Sequence, residues 1–371
     1  MLSKTATSQL RYAPLSTSIF SFYNNKGGVG KTTLCQNVAC LYAETNPSEL
    51  VVVIDLCPQS NISQFLLGGG HSGYRANQRL QSQSSRRNIV GFMDWLVGGN
   101  SGFTSTPSSY LVQVSRYNPV ISQNLHLLAG DTFLESLTLA LNFATMNPAN
   151  VNAWREFVTA IRRLCELELQ RSEYSSMKVF IDCNPSFSIY TQMALVSSDF
   201  LVVPVMADYS SIEGIKGILM LLYGKYPSAA VRNYAQNVLT FTNQIQSNNL
   251  TLPTIFEIPF NSYTSNLGAA TAYNAVRSEI IDFGWQQYQS DSSIFAPAAT
   301  PPTTRNSWKN LYFSDVKDFH TSGKVSASLG IPLHRLPDQS NYTMPDGSPV
   351  SLPRGNYEEA LRHVQDLVNK I

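Results

Sequence analysis

The chain has 371 residues, which is enough for one large α/β domain or two domains of ordinary size. Apolar residues make up 43% of it and the formal net charge is +1, so bulk electrostatics favour neither nucleic acid nor an anionic membrane as a partner. The five cysteines are an odd number without a C-x-x-C pair, which argues against a disulfide framework or a zinc site and indicates a reducing compartment.

The N-terminal residues and the hydropathy of the chain predict a cytoplasmic protein. Residues 1–17 form a polar extension that lacks the apolar core of a signal peptide. No uncharged apolar run is long enough to span a bilayer. We therefore expect a single domain over residues 18–371, with loop insertions near 66–120 and 284–310, and no membrane attachment.

The first predicted elements are a strand, a glycine-rich turn and a helix. Residues 19–22 form an apolar strand, and helical periodicity runs over residues 32–43. Glycines between these elements let backbone N–H groups converge on phosphate oxygens, and the helix N-terminus adds positive potential. This order predicts a phosphate-binding loop and helix start made of Asn25, Lys26, Gly27, Gly28, Val29, Gly30, Lys31, Thr32 and Thr33.

Three positions decide the chemistry expected of this loop. Lys31 is the cation expected at the β- and γ-phosphates of a nucleotide, and Thr32 offers a hydroxyl to Mg²⁺. Asn25 stands where the strict pattern G-x-x-x-x-G-K-[ST] has its first glycine, and Lys26 follows it as an additional lysine. We expect ATP or ADP with Mg²⁺ as the cofactors and Lys31 as a catalytic cation.

Apolar β-branched runs then alternate with helical patterns. The run over residues 50–55 is typical of a strand buried on both faces of a parallel sheet. The alternation predicts an α/β fold with a doubly wound, mostly parallel sheet flanked by helices, of the P-loop NTPase type. The later predicted strands are 125–130, 178–182, 200–204, 238–241 and 255–258. The later predicted helices are 89–97, 133–143, 151–173, 189–196, 212–223 and 357–371, and the predicted loops are 68–87, 98–109, 290–306 and 342–355.

Carboxylates end two of the predicted strands. Asp55 follows Leu-Val-Val-Val-Ile, and Asp182 follows Lys-Val-Phe-Ile. A carboxylate in this position lies at the carboxyl edge of the sheet, where ligands of open α/β folds bind. We predict that Asp182 holds Mg²⁺ together with Thr32 and that Asp55 is catalytic. A helix cap or a turn residue is the structural alternative for either aspartate.

The motif Lys26-Gly-Gly-Val-Gly-Lys-Thr-Thr33 resembles the deviant Walker A loop of the ParA/MinD family of P-loop ATPases. Ile181-Asp-Cys-Asn-Pro-Ser186 is similar to a second segment of that family, and the resemblance runs from about 18 to 282, interrupted between 66 and 120. It implies an ATP-sandwich homodimer in which Lys26 is catalytic and reaches the other subunit's phosphates. Pro259-Phe-Asn261 looks like the turn that contacts adenine, so Pro259 and Asn261 are further candidate nucleotide ligands.

Cys57 is the main departure from the family pattern. It stands where the family usually has the second aspartate of Asp-x-Asp-Pro-Gln, which supports attack of water on the γ-phosphate. A thiol of ordinary pKa, about 8.5, is mostly neutral at pH 7 and orients water poorly. We expect slow hydrolysis with nucleotide binding and dimerisation retained.

Two alternatives stay open at this point. One is a binding or scaffold protein that ATP stabilises and that has negligible turnover. The other is an electron-transfer ATPase like nitrogenase iron protein, which would need paired cluster-ligating cysteines, and no such motif surrounds Cys165 or Cys183.

The family resemblance implies a cargo, such as a plasmid, a chromosome region or a protein assembly, and a ParB-like or cargo adaptor protein. DNA is a possible partner without a clear basic patch, because residues 260–266 contain no arginine. The polar face of the predicted helix 357–371 mixes acidic and basic residues, so its apolar stripe is expected to pack on the sheet and not on lipid. The scattered basic candidates are Arg75, Arg79, Arg86, Arg87, Arg162, Arg163, Arg171, Lys309, Lys317 and Lys324.

Overall fold

The computed structural model describes residues 17–262, 269–317 and 319–371. They form a nine-stranded sheet flanked by helices, together with a separate two-stranded hairpin. Of the predicted N-terminal extension, only Thr17 belongs to the described residues, and it starts the first strand. The division into one domain with two insertions stays a prediction.

The elements follow one another in an alternating order. The strands are β1 Thr17–Phe22, β2 Leu50–Leu56, β3 Val112–Gln113, β4 Leu125–Leu128, β5 Met177–Cys183, β6 Phe200–Val202, β7 Val205–Met206, β8 Thr254–Ser262, β9 Phe313–Lys317, β10 Asn341–Thr343 and β11 Pro349–Ser351. The helices are α1 Lys31–Thr45, α2 Asn61–Leu66, α3 Gly70–Gln81, α4 Ile89–Trp95, α5 Thr138–Thr145, α6 Ala153–Val158, α7 Ala160–Arg171, α8 Ile189–Ser197, α9 Tyr209–Tyr223, α10 Ala229–Gln236, α11 Phe241–Ser247, α12 Ala269–Ser290, α13 Arg305–Tyr312, α14 His320–Leu329 and α15 Glu358–Lys370.

The large sheet is parallel except at one edge. Its order is β3-β4-β2-β5-β1-β6-β8-β7, with β9 also paired to β8, and only β3 and β4 run antiparallel among the described strands of this sheet. Every residue of β1 and β2 is buried, as expected for apolar strands covered on both faces by helices. The predicted doubly wound, mostly parallel α/β fold is confirmed.

The register of the central strands brings three chain segments to one edge. β5 lies between β1 and β2, so that Asp182 pairs in parallel register with Phe22 on one side and with Asp55 on the other. The glycine-rich loop leaves the end of β1 directly beside these two aspartates. The sheet topology therefore assembles the predicted site from residues far apart in sequence.

The C-terminal helix is part of the packed core. α15 lies against α1 and β9 and buries Ala360, Val364, Leu367 and Val368. The expectation that its apolar stripe packs on the protein is confirmed. Among the helices of the described part of the chain, none combines the length and the apolar character that crossing a bilayer requires.

The glycine-rich residues 68–87 were expected to form a loop, and that prediction is wrong. Gly70–Gln81 is the helix α3, with Ala76 and Leu80 on its buried face. The glycines before it allow close backbone packing, because a Cβ on Gly69 would come within 2.1 Å of the Gly330 nitrogen at the end of α14. The glycine-rich composition suggested a flexible loop, whereas the glycine before α3 allows close backbone contact with the end of α14.

Three further expectations need correction. The predicted strand 238–241 is absent, since Thr240 caps the helix α11 by accepting a hydrogen bond from the Asn243 N–H at 3.2 Å. The predicted long helix 151–173 is divided at Thr159 into α6 and α7. The predicted loop 342–355 contains the β10–β11 hairpin, and α12 was not predicted.

Candidate nucleotide-binding site

The loop between β1 and α1 has the backbone geometry that a phosphate requires. Gly28 and Gly30 have φ angles of 74° and 87°, in the left-handed region that favours glycine. Among the described residues, no atom lies within 4 Å of where a Cβ of Gly27 or Gly28 would stand. In the part of the chain that the structure describes, no side chain caps α1, so the N–H groups at its start are available to an anion.

Two contacts hold this loop on the protein. Val29 is buried beneath it, and the Lys31 ammonium donates a hydrogen bond to the Lys26 carbonyl at 2.9 Å. Burial lowers the pKa of Lys31, while the nearby Asp182 carboxylate opposes that shift. Lys31 therefore spans the loop from inside, and Thr33 completes the first turn of α1 behind it.

Thr32 and Asp182 meet directly at the carboxyl edge of the sheet. The Thr32 hydroxyl donates to Asp182 Oδ2 at 2.7 Å, while Oδ1 is buried without a hydrogen-bond partner among the described residues. Burial, with the neighbouring Asp55 charge, raises the pKa of Asp182 to about 7.

This donor set fits Mg²⁺. A hydroxyl and a buried carboxylate with a free oxygen are ligands of the type Mg²⁺ prefers, and such sites usually take the remaining ligands from phosphates and water. No group of three or more His, Cys, Asp or Glu side chains able to hold a metal occurs in the described part of the chain.

The Asp55 carboxylate is held by hydrogen bonds from two residues that follow it in the chain, Cys57 and Ser63. Its Oδ1 accepts from the Cys57 N–H at 3.0 Å, and its Oδ2 accepts from the Ser63 N–H at 3.1 Å and the Ser63 hydroxyl at 2.6 Å. Burial raises the pKa of Asp55 to about 6, against these hydrogen bonds. The structure thus brings Asp55 beside Asp182 and ties it to the start of α2, and its catalytic role stays a prediction.

Cys57 is half-buried between these groups. Burial and the Asp55 charge raise the pKa of its thiol to about 11. The side chain is therefore a neutral thiol at pH 7, with no carboxylate character to offer a water molecule.

Lys26 is engaged within its own chain. Its ammonium forms an ion pair with Asp208 and donates to the Ser210 hydroxyl at 2.7 Å. Asp208 also caps α9 by accepting from the Ser211 N–H at 3.0 Å. Sequence reasoning missed Asp208, although an aspartate directly before an apolar helix is a recognisable N-cap signal.

The remaining predicted ligands frame the loop. Asn25 is exposed, and its side chain lies against α9, close to where Cβ atoms of Gly214 and Gly217 would stand. The Asn261 amide touches the loop, 2.9 Å from the position of a Cβ on Gly30, and its Oδ1 is buried without a partner among the described residues. Pro259 lies two residues earlier in β8, in register with Ser314 of β9. Their contact with adenine stays a prediction, and residues 263–266 lie outside the described residues.

Most of the basic candidates are used inside the protein. Ion pairs engage Arg86 with Asp131, Arg162 with Asp199 and Lys317 with Glu359, and carbonyl oxygens accept from Arg87, Arg163 and Arg171. Within the described ranges, Arg75, Arg79, Lys309 and Lys324 make no ion pair.

Known proteins match both the sequence and the fold. A family model described as an AAA domain matches residues 17–224, more than half of the chain. An uncharacterized protein of Pseudomonas putida is 27% identical over 201 residues, and the chromosome-partitioning ATPase Soj of Thermus thermophilus is 30% identical over 199 residues. Each alignment covers 54% of this chain, and the chain spans only 60% and 59% of the lengths of these two relatives.

A solved structure matches nearly the whole chain. Apo McdA from Cyanothece aligns with a TM-score of 0.51 at 15% identity, covering 94% of this chain and 98% of that one. At this identity the likeness shows a shared fold. With the family match over residues 17–224 and the glycine-rich loop at its start, the chain belongs to the ParA/MinD-like family of P-loop ATPases.

Proposed function

We propose that this protein binds ATP with Mg²⁺ at its glycine-rich loop, hydrolyses it slowly, and forms an ATP-dependent sandwich dimer that partitions or positions a cargo. The observation that carries the proposal is the Thr32–Asp182 pair, whose free carboxylate oxygen lies at the uncapped start of α1. An oxygen donor set beside unpaired backbone N–H groups suits a magnesium nucleotide better than any other ligand class.

The residues of the loop and those around it have separate roles in this proposal. Lys31 and the loop amides hold the phosphates, and Thr32 with Asp182 holds Mg²⁺, which when bound would neutralise charge on the phosphate oxygens. Lys26 exchanges its ion pair with Asp208 for the phosphates of the second subunit. Asn261, already against Gly30, contributes to the base side of the site with Pro259.

Cys57 supports slow turnover. Its neutral thiol orients an attacking water poorly, and Asp55 is occupied by Ser63 and Cys57. The same observation favours a second candidate function, a scaffold that ATP stabilises and that does not turn over. The cargo is a plasmid, a chromosome region or a protein assembly, recognised through a ParB-like or other adaptor. The name of the Thermus thermophilus relative, a chromosome-partitioning ATPase, supports the chromosome region.

The test is the molecular mass of the protein with ADP, ATP and a non-hydrolysable ATP analogue, measured by light scattering after size exclusion. We expect a monomer with ADP and a dimer with ATP or the analogue. Lys26→Ala should abolish the dimer while keeping the affinity for a fluorescent ATP analogue, and Lys31→Ala should lose that affinity. Lys216→Ala, which removes an exposed lysine of α9, is the control.

The outcomes separate the two candidates. A dimer that persists in ATP with no phosphate release supports the scaffold, and a dimer that decays as phosphate appears supports the slow ATPase. A wild-type mass that no nucleotide changes would contradict the sandwich dimer, and a dimer insensitive to Lys26→Ala would contradict the role of Lys26.

A further inference from the structure

A groove of about 840 Å³ lies between α9, α10 and α12. Met220, Tyr223 and Phe283 contribute apolar surface to it. Lys216, Lys225 and Arg232 add positive charge around that surface, against the single carboxylate of Glu213 among the lining residues. The groove combines an apolar surface with a cationic edge.

One wall of the groove is a stripe along α9. Glu213, Lys216, Met220 and Tyr223 recur every three or four residues, on the side of the helix that the sheet does not bury. This stripe is about 15 Å long, since a helix rises about 1.5 Å per residue. An elongated wall of this length suits a helical segment of two to three turns, whose apolar side chains recur with the same spacing.

The helix α10, which borders the groove through Arg232, is exposed along most of its length. Ala235 is the only buried residue of this helix, while Tyr234 and the following Leu239 are 70% and 77% exposed. A second cavity of about 450 Å³ also borders α10 and shares Tyr226 and Arg232 with the first. The two cavities together extend further than a small molecule usually fills, which favours a polypeptide as the occupant.

Arg232 is the cation of the groove that lacks an acidic partner. Lys216 pairs with Glu213 at 2.8 Å and Lys225 pairs with Asp291 at 2.5 Å, whereas Arg232 makes no ion pair within the described ranges. Residues 226–256 contain no aspartate or glutamate at all. A guanidinium in this setting is complementary to a carboxylate, which it can hold through two parallel hydrogen bonds.

We propose that this groove docks an amphipathic helical segment of a partner protein, with apolar side chains on Met220 and Phe283 and a carboxylate on Arg232. Asp208, which holds Lys26, is the N-cap of the wall helix α9, and Gly217 of the same helix lies against Asn25. A partner in the groove would thus contact the helix that contacts the nucleotide loop. The inference rests on the proposed function only in identifying this partner as the cargo adaptor.

The test uses a defined probe on the full chain without nucleotide. The probe is a fluorescein-labelled helical peptide of about four turns, with leucines on one face and glutamates flanking them. Matched peptides carry lysine for every glutamate or the same residues in scrambled order. We expect saturable binding of the glutamate peptide in fluorescence anisotropy. The lysine peptide and the scrambled peptide should bind with an affinity at least about tenfold lower.

Charge reversal supplies the matched variants. Arg232→Glu should lower the affinity for the glutamate peptide about tenfold and raise the affinity for the lysine peptide. Arg79→Glu, on the exposed face of α3, is the control and should leave both affinities unchanged. Equal binding of the three peptides, or an equal loss in Arg79→Glu, would overturn the proposal. So would a dimer of the free chain that Arg232→Glu dissociates, since a second copy would then be the occupant. Because no nucleotide is present, a negative result leaves the ATPase proposal intact.

Discussion

At the scale of single residues, Cys57 is the proposed limit on how fast bound ATP is hydrolysed. Its thiol, with a pKa raised to about 11 by burial and by Asp55, holds its proton throughout neutral pH. We predict that Cys57→Asp raises phosphate release, by about 10²-fold if only this group is missing, because a positioned carboxylate typically contributes 10²–10⁴-fold. Cys57→Ala is the control and should change turnover by less than about twofold. Steady-state phosphate release measures both, and loss of activity in Cys57→Ala would contradict the assignment.

Asp208 is a second residue whose effect can be isolated. Its ion pair with Lys26 opposes any use of that lysine in another subunit. Asp208→Asn keeps the N-cap of α9 and removes the charge. We predict that it lowers the concentration for half-dimerisation in ATP about two- to fivefold, since exposed ion pairs are worth about 0.2–1 kcal/mol. Sedimentation velocity measures this, with Glu213→Gln on the same helix as the control, and an unchanged midpoint would refute the competing role.

These residues differ in how visible they are in the sequence. Lys31, Thr32 and Asp182 follow from motif spacing, because a phosphate loop and a strand-end carboxylate impose that spacing chemically. The Lys26–Asp208 pair joins residues 182 positions apart, and no local pattern reports such a contact. The hydrogen bonds from Ser63 that occupy Asp55 are hidden for the same reason.

At the scale of elements, the C-terminal helix adds to its apolar packing an ion pair with a buried carboxylate. Lys370 of α15 donates to Glu257 Oε1 at 2.9 Å, and Glu257 is fully buried in β8. We predict that Lys370→Met lowers the free energy of unfolding by about 3 kcal/mol, because it leaves a buried carboxylate uncompensated. Adding Glu257→Leu should recover most of that loss. Urea denaturation measures both, and Lys324→Met, at an exposed lysine, should stay within about 0.5 kcal/mol of wild type.

His363 adds a pH dependence to the same helix. Its Nδ1 accepts a hydrogen bond from the Lys317 N–H of β9 at 3.1 Å, which requires the neutral ring. Burial lowers the pKa of His363, against the opposing charges of Glu359, Asp366 and Asp315. The unfolded chain therefore binds this proton first as pH falls below about 6.5, so stability falls with it. We predict a flatter stability curve between pH 7 and pH 5 for His363→Asn, which keeps an acceptor, and an unchanged slope would contradict this.

The sequence predicts a helix or strand correctly where a single physical cause determines the local structure. The buried strands were recognised because β-branched runs have few other uses. The helix α3 was missed because three glycines suggest a loop, whereas Gly69 and Gly70 here permit backbone contact with the end of α14. Residues 238–241 carry a strand-like composition, and the cap at Thr240 overrides it.

At the scale of the whole molecule, topology converts local patterns into a site. The order of strands and helices predicted the doubly wound sheet, and the carboxyl-edge rule then predicted where the loop and Asp182 would meet. The groove beside α9 was beyond such reasoning. Its walls come from α9, α10 and α12, which a sequence pattern does not orient relative to one another.

The charge distribution of the whole molecule bears on DNA binding. The formal charge is +1, and most of the candidate arginines donate to carbonyls or carboxylates of their own chain. Non-specific binding depends on cations free to replace counterions along the phosphate backbone, with dissociation constants typically between about 10⁻⁴ and 10⁻⁶ M at physiological salt. We predict no saturable binding of a random duplex below about 10 µM protein at that salt, with ATP present. Fluorescence anisotropy across a salt series measures this, and tight binding with a steep salt dependence would show that the dimer assembles a basic surface that the single chain lacks.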